Sequence, residues 1–281
     1  MKRGICRLCL MEKDLVDSHL IPRSILKLCR EDSLPNPNPL TLTRKVMVRT
    51  SRQITTHLLC SACEDKFSKN GETWVGANVA RMESFPIGEA LLKTTPLISY
   101  KRVTAYAGAA VPEIDMEKLV YFGLSIFWRC SAHDWRDATG GRIQIELGPY
   151  EEPIRRFLLG EAPLPKTIAL LIALPTGSVL IGTYTPRRGH EKDFHNFVFY
   201  VPGIEFTLSA GRKIPVEVRA LCAHTSPQKI ILFSGATTSN TAASFDLLRD
   251  VARPSLGVKK FINELAEMRN IHIPPGDKHK L

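Results

Sequence analysis

The chain has 281 residues, 44% of them hydrophobic and 23% charged, the composition of a folded globular protein rather than a disordered or collagen-like one. Its longest apolar run, Ile168–Leu174, falls far short of the ~18–20 residues a membrane-spanning helix needs, and the opening Met1-Lys2-Arg3-Gly4-Ile5-Cys6 lacks the apolar core of a secretory signal. With a net charge of +10 and an odd count of seven cysteines, the expectation is a cytoplasmic protein with a polyanionic partner, neither inserted in a membrane nor framed by disulfides.

Three regions are expected along the chain. The first, residues 1–75, is Cys-rich and basic. Residues 1–102 carry 17 Lys+Arg against 10 Asp+Glu, and no acidic residue falls between Ser33 and Cys63. That acid-free stretch holds Arg44, Lys45, Arg49 and Arg52, a candidate track for nucleic-acid phosphates; a solvated basic loop is the alternative. The alternating prolines of Pro35-Asn36-Pro37-Asn38-Pro39 can extend neither a helix nor a central strand, so a stiff exposed loop is expected there. After it, the β-branched alternation of Leu40–Leu59 reads as strands.

The second region, 76–160, reads as mainly helical. Leu119, Phe122, Gly123, Ile126 and Phe127 recur at helical spacing within Met116–His133, and Tyr150–Gly160 is a shorter helix with Gly160 as its stop. The third, 161–281, reads as β followed by helices. Lys166–Leu174 and Ser178–Tyr184 flank the hairpin signal Pro175-Thr176-Gly177, and Phe194–Val201 and Glu205–Ser209 flank Pro202-Gly203. Val216–Ala223 and Lys229–Ser234 read as further strands, and Ala243–Val251 and Ser255–Asn270 as closing helices. The expected fold is therefore α+β: an N-terminal zinc module, a helical middle region, and a mostly antiparallel sheet closed by helices.

Cys6-Arg7-Leu8-Cys9 and Cys60-Ser61-Ala62-Cys63 carry the strongest chemical signal. Each C-x-x-C turn sets two thiolates on one side, and two such turns can close the tetrahedral Cys₄ site of a structural Zn²⁺; two unrelated buried pairs are the alternative. Neither a phosphate-binding P-loop nor a dinucleotide fingerprint occurs. Cys222 and His224 alternate like a nucleophile pair, without any sign of the activating groups a catalytic thiol needs. Arg187–Lys192 reads as a charged exposed loop, and Trp128 as core.

The segments CRLC (Cys6–Cys9), DSHLIP (Asp17–Pro22) and LLCSACEDKF (Leu58–Phe67) resemble the treble-clef, zinc-containing branch of the HNH (ββα-metal) endonucleases over roughly residues 5–75, about a quarter of the chain. They are also similar to bacterial HNH-like proteins with Ser-His-Leu/Ile-Ile-Pro and Leu-Cys-x-x-Cys-Glu motifs, in which a helix ending in Phe/Leu-Trp-Arg follows, as does Phe127-Trp128-Arg129 here. The resemblance implies a metal-dependent endonuclease cleaving nucleic acid, DNA first, in defence against foreign DNA, with a protein partner as a further candidate.

In that reading His19 stands where the general base lies. Ser18, just before it, falls where the family places a metal ligand, with Asp17 as a substitute, and Glu64 falls on the last ligand position, often His. Together they would hold a catalytic Mg²⁺ or Mn²⁺. Thr55 stands where the family has an Asn, with His57, Asn36 and Asn38 nearby in sequence. The alternative function is a zinc-stabilised protein without catalysis that binds nucleic acid or a partner.

Overall fold

The computed structural model describes residues 2–234 apart from 31–34, 43–46, 82, 101–102, 138–139, 176–178 and 190–192. The expected closing helices, and Arg44 and Lys45, lie outside the described residues. Among the described residues, no helix is long and apolar enough to cross a membrane. The fold is mixed α and β around a large mixed sheet.

The N-terminal residues form a small antiparallel sheet. β1 (Lys2–Ile5) turns into β2 (Glu12–His19), and β5 (Thr55–Cys60) pairs along the other side of β2. Helix α1 (Arg23–Leu28) follows β2, and helix α2 (Ser61–Phe67) starts where β5 ends. Between α1 and β5 the chain leaves this sheet, and β3 (Leu40–Leu42) and β4 (Met47–Arg49) form an antiparallel pair at the edge of a second, nine-stranded sheet.

Helix α2 runs into a π-helical turn, Ser68–Glu72, and then into α3 (Thr73–Asn78) and α4 (Pro86–Leu92). A π-turn adds a residue to the local repeat and rotates the next helical residues about the axis, a distortion common at functional sites. β6 (Ile98–Tyr100) and β7 (Val103–Ala107) come next. The segment expected to be mainly helical thus also contributes two strands to the large sheet. Their runs are too short for alternation to outweigh the helical pattern around them.

Helix α5 (Met116–Ala132) begins at Asp115, whose side chain accepts the Lys118 N–H and caps the first turn. Nearly every one of its residues is buried, the pattern of a helix enclosed on all sides. One face packs on the large sheet: Phe122 meets Phe199 and Phe206, and Phe127 meets Phe199. Gly123 permits the approach, since a Cβ there would lie 2.6 Å from a Phe206 ring carbon. Another face meets the N-terminal module, where the Phe67 ring stands edge-on to Tyr121 and Trp128. After a short ribbon of β8 (Trp135–Arg136) and β9 (Arg142–Ile143), α6 (Glu151–Leu159) ends at Gly160, whose φ of 82° is the left-handed cap its glycine allows.

The remaining strands are β10 (Ile168–Pro175), β11 (Thr183–Arg188), β12 (His195–Val201), β13 (Ile204–Ala210) and β14 (Ile230–Ser234), with a short α7 (Val216–Ala220) before the last. The order across the sheet is β4-β3-β11-β12-β13-β10-β14-β7-β6, with β10–β14 and β11–β3 parallel and the other pairs antiparallel. The Pro202-Gly203 hairpin forms as expected between β12 and β13, with Gly203 at φ 80°. The Pro175-Thr176-Gly177 hairpin does not. β10 lies between β13 and β14, and β11 lies across the sheet beside β3 and β12. Val216–Ala223, expected as a strand, begins with α7 instead. Pro215 precedes the helix at its N-cap, Val216 is exposed, and Val218 packs from the helix against the buried cluster that holds Ala169 of β10.

Buried residues of the N-terminal module, of α5 and of the large sheet belong to one continuous core, from Cys6 through Trp128 to Phe233. Helix α5 therefore couples the cysteine-bearing turns to the sheet.

Candidate metal centre and the carboxylate cluster beside it

The four cysteines expected to act together converge. Cys6 and Cys9 lie in the turn between β1 and β2, Cys60 closes β5 and Cys63 lies in the first turn of α2, with all four sulfurs within 4.8 Å of one another. Zinc–sulfur bonds of ~2.3 Å in a tetrahedron need sulfur separations of just under ~4 Å, so the donor set fits Zn²⁺. The first turn is tight. Leu10 donates its N–H to the Cys6 carbonyl and takes φ 59°, and Cys6 donates its own N–H to Met11. The Cys60 N–H points at Cys6 Sγ, 3.4 Å away, a contact that favours thiolate over thiol.

The electrostatics agree. The Cys63 hydrogen bond, aided by backbone N–H groups and opposed by burial, brings the Cys6 thiol down to about 4. Cys63 is pushed up, by its contact with Cys6 first and by burial next, and Cys9 is pushed up by burial. A packed thiol cluster can hold one thiolate easily and not four, unless a cation sits among them. Arg155 of α6 adds positive charge from outside. Its Nη1 donates to the Leu8 carbonyl at 2.6 Å, and it is held by Glu152 through Nε at 2.7 Å.

Beside this centre lies a second cluster. His19, half-buried, is the last residue of β2, and Glu64 stands in the first turn of α2. Their common neighbour is Arg129 of α5, only 1% exposed. Its Nη1 donates to the His19 carbonyl at 3.2 Å. Its Nη2 lies 3.4 Å from Glu64 Oε2 and 2.6 Å from Glu72 Oε1, a carboxylate delivered by the π-turn. The guanidinium also lies over the Phe67 ring, 4.5 Å from its centroid. Burial raises the Glu72 carboxyl above its ordinary value, while Arg129 and, more weakly, His19 pull it down.

The remaining candidates part company with this cluster. Ser18 is 0% exposed, and its Oγ accepts the Leu59 N–H at 3.2 Å where the β2–β5 register slips between Val16 and Asp17. That hydroxyl mends a bulge. Asp17 faces solvent opposite His57, and Thr55 pairs with His19 across the ladder. Arg49 donates to the Asn38 carbonyl at 3.2 Å and its own carbonyl accepts from Asn36, so it braces the proline-rich loop. Arg52 is exposed just before β5.

Among the described residues, the four cysteines are the one group of three or more His, Cys, Asp or Glu whose donor atoms converge to metal distance. Asp17, Ser18 and Glu64 do not assemble a seat for Mg²⁺ or Mn²⁺: one points to water, one is spent on the backbone, and one is bound by Arg129. Glu72 and Arg129 were not among the expected site residues. The usable signal was a single arginine within the apolar body of a helix, because a charge there must find a partner. Compared with protein-family models, curated proteins and solved structures, the chain matches none.

Proposed function

We propose that this protein is a zinc-stabilised nucleic-acid-binding protein built on an HNH-like ββα module of treble-clef type, in which Arg129 has taken the place of a catalytic cation. Zn²⁺ bound by Cys6, Cys9, Cys60 and Cys63 would fix the turn of β1–β2 against the start of α2 and supply no reaction step. The observation that carries the reading is the guanidinium of Arg129 set against both Glu64 and Glu72. The carboxylates that would draw a divalent ion already share a permanent positive charge tethered between them. Binding is supported by the net charge of +10 and by the exposed Lys2, Arg7, Lys13, Arg23 and Lys27 of the N-terminal module.

A second reading, a metal-dependent endonuclease with His19 as general base, is favoured by one observation. His19 ends β2 within electrostatic reach of Glu72, close to the α2 start that bears Glu64. The two readings separate in one titration. Zinc-loaded protein should bind fluorescent duplex DNA, with affinity falling steeply with salt at a log–log slope of about −3 to −5 if four or so phosphates are contacted. Arg23→Ala with Lys27→Ala should flatten that slope by about one to two. Supercoiled plasmid with Mg²⁺ or Mn²⁺ should stay uncut. Absence of binding at low salt would remove the proposal, and cutting that His19→Ala abolishes would establish the second reading.

A further inference from the structure

A cavity of about 510 Å³ opens where the first two turns of α5 meet the π-turn, the end of α6 and the turn at residues 223–229. It is distinct from the Arg129 cluster. Arg129 lies eight residues beyond Tyr121 on the same helix, about 12 Å along its axis. The volume falls within the ~300–1,000 Å³ usual for small-molecule sites.

The lining has two characters. Lys66, Lys118 and Lys229 bring positive charge from separate parts of the wall, His224 adds an imidazole and Asn70 an amide from the π-turn. Tyr121 and Phe157 supply aromatic surface, their ring centroids 6.3 Å apart. The two acidic residues of the lining each pair with one of its lysines, at partly exposed sites where a dianionic phosphate would compete for the ammonium. Asp115 caps α5 and pairs with Lys118 at 3.1 Å, while the largely exposed Glu117 reaches Lys229 at 3.4 Å. Lys66 donates to the Leu159 carbonyl at 3.0 Å, which spends one of its three protons and fixes the ammonium at the wall. The N-terminal end of α5 adds the positive pole of a 17-residue helix.

His224 is supported from behind. Cys222 is fully buried, with its sulfur 3.0 Å from His224 Nδ1. Burial alone would raise that thiol, yet the His224 hydrogen bond and charge, helped by Thr225, bring it to about 6. Burial removes the Cys222 sulfur from any substrate, so Cys222 braces the His224 ring from behind and does not act as a nucleophile.

We propose that this cavity binds a small organic phosphate monoester, with Lys66, Lys118, Lys229 and His224 around the phosphate and Tyr121 and Phe157 against a planar body. The proposal is independent of the nucleic-acid reading, because no residue of the cavity belongs to the zinc centre or the Arg129 cluster.

Calorimetric titration of the zinc-loaded full chain with adenosine monophosphate, adenosine and inorganic phosphate tests it. Adenosine monophosphate should bind once per chain and at least about tenfold more tightly than either fragment, the scale of one lost charged hydrogen-bonding group. Lys118→Gln with Lys229→Gln, and separately His224→Gln, should each weaken it about tenfold with the thermal midpoint preserved, since both lysines are partly exposed. Failure of the monophosphate to bind in the millimolar range overturns the proposal. So does adenosine or phosphate alone binding as tightly, or wild-type affinity in folded double and His224→Gln variants.

Discussion

Cys60→Ser should abolish zinc content and unfold the N-terminal module, lowering the stability of the whole chain by several kcal/mol. Small zinc-folded peptides derive about 10–16 kcal/mol of apparent binding free energy from their metal, and that energy is folding energy. Here the effect is tempered because Cys6, Cys60 and Cys63 share their core with α5 and the large sheet. The Cys60 N–H contact to Cys6 and the Arg155 bond to Leu8 also assume the closed turn. Loss of one ligand leaves three thiols within 4.8 Å with no cation to hold them as thiolates. Hydrogen exchange should therefore rise first in β1, β2, β5 and α2, while β12 and β13 keep their protection until global unfolding. A chelator strong enough to strip zinc should reproduce the variant. An unchanged thermal midpoint and unchanged metal content in Cys60→Ser would refute the Cys₄ assignment.

Arg129→Met should be the most damaging substitution outside the cysteines, at about 3–5 kcal/mol, the usual cost of removing one partner of a buried charge pair. Methionine fills much of the volume, so the loss is electrostatic. It strands Glu64 and Glu72 beside each other and frees the His19 carbonyl of its donor. Glu72→Gln in the same background should recover part of the loss. The pH dependence comes from Glu72, whose carboxyl burial already lifts above its ordinary 4.5 in the presence of Arg129. Because the folded value is raised, the folded state takes up the proton more readily than the unfolded one. Stability from this group is therefore full below about pH 4.5 and is lost as pH rises through the folded value. Without Arg129 the folded value climbs further, so the deficit of Arg129→Met should shrink between pH 7 and pH 5 in urea titrations. A deficit below about 1 kcal/mol, or one indifferent to pH, would show that the ion pairs are not what holds this corner together.

The two halves of the site were not equally legible in the sequence. The cysteine pairs declare themselves because a C-x-x-C turn is a local device: spacing within four residues fixes the geometry, and two such turns need only be brought together. His19 and Glu64 could be placed at the ends of β2 and α2 from their distance to those turns. The Arg129 cluster could not, because it joins a strand end, a helix start, a π-turn and a helix far along the chain. The π-turn at Ser68–Glu72 also sets Glu72 on a face that an ordinary helical count from Cys60 would not give it. Ser18 shows the opposite failure. Its position in the motif suggested a ligand, while the register slip at Asp17 had claimed its hydroxyl for the Leu59 N–H. In the large sheet, the Pro202-Gly203 turn was readable for the same reason as the cysteine turns. The placement of β10 was not, since its partners β13 and β14 come from 30 or more residues away, and β14 runs parallel to it. Every residue from Ile168 to Leu174 is apolar, so the sequence marks a strand without saying which strands it pairs with.

On the proposal that Arg129 stands in the place of a second cation, the protein should carry one metal ion and not two. Electron paramagnetic resonance of Mn²⁺ titrated into the zinc-loaded protein tests that most directly. The expected result is one tightly held zinc per chain and a free Mn²⁺ signal undiminished through the millimolar range. One Mn²⁺ bound per chain, and released by Glu64→Gln, would contradict it.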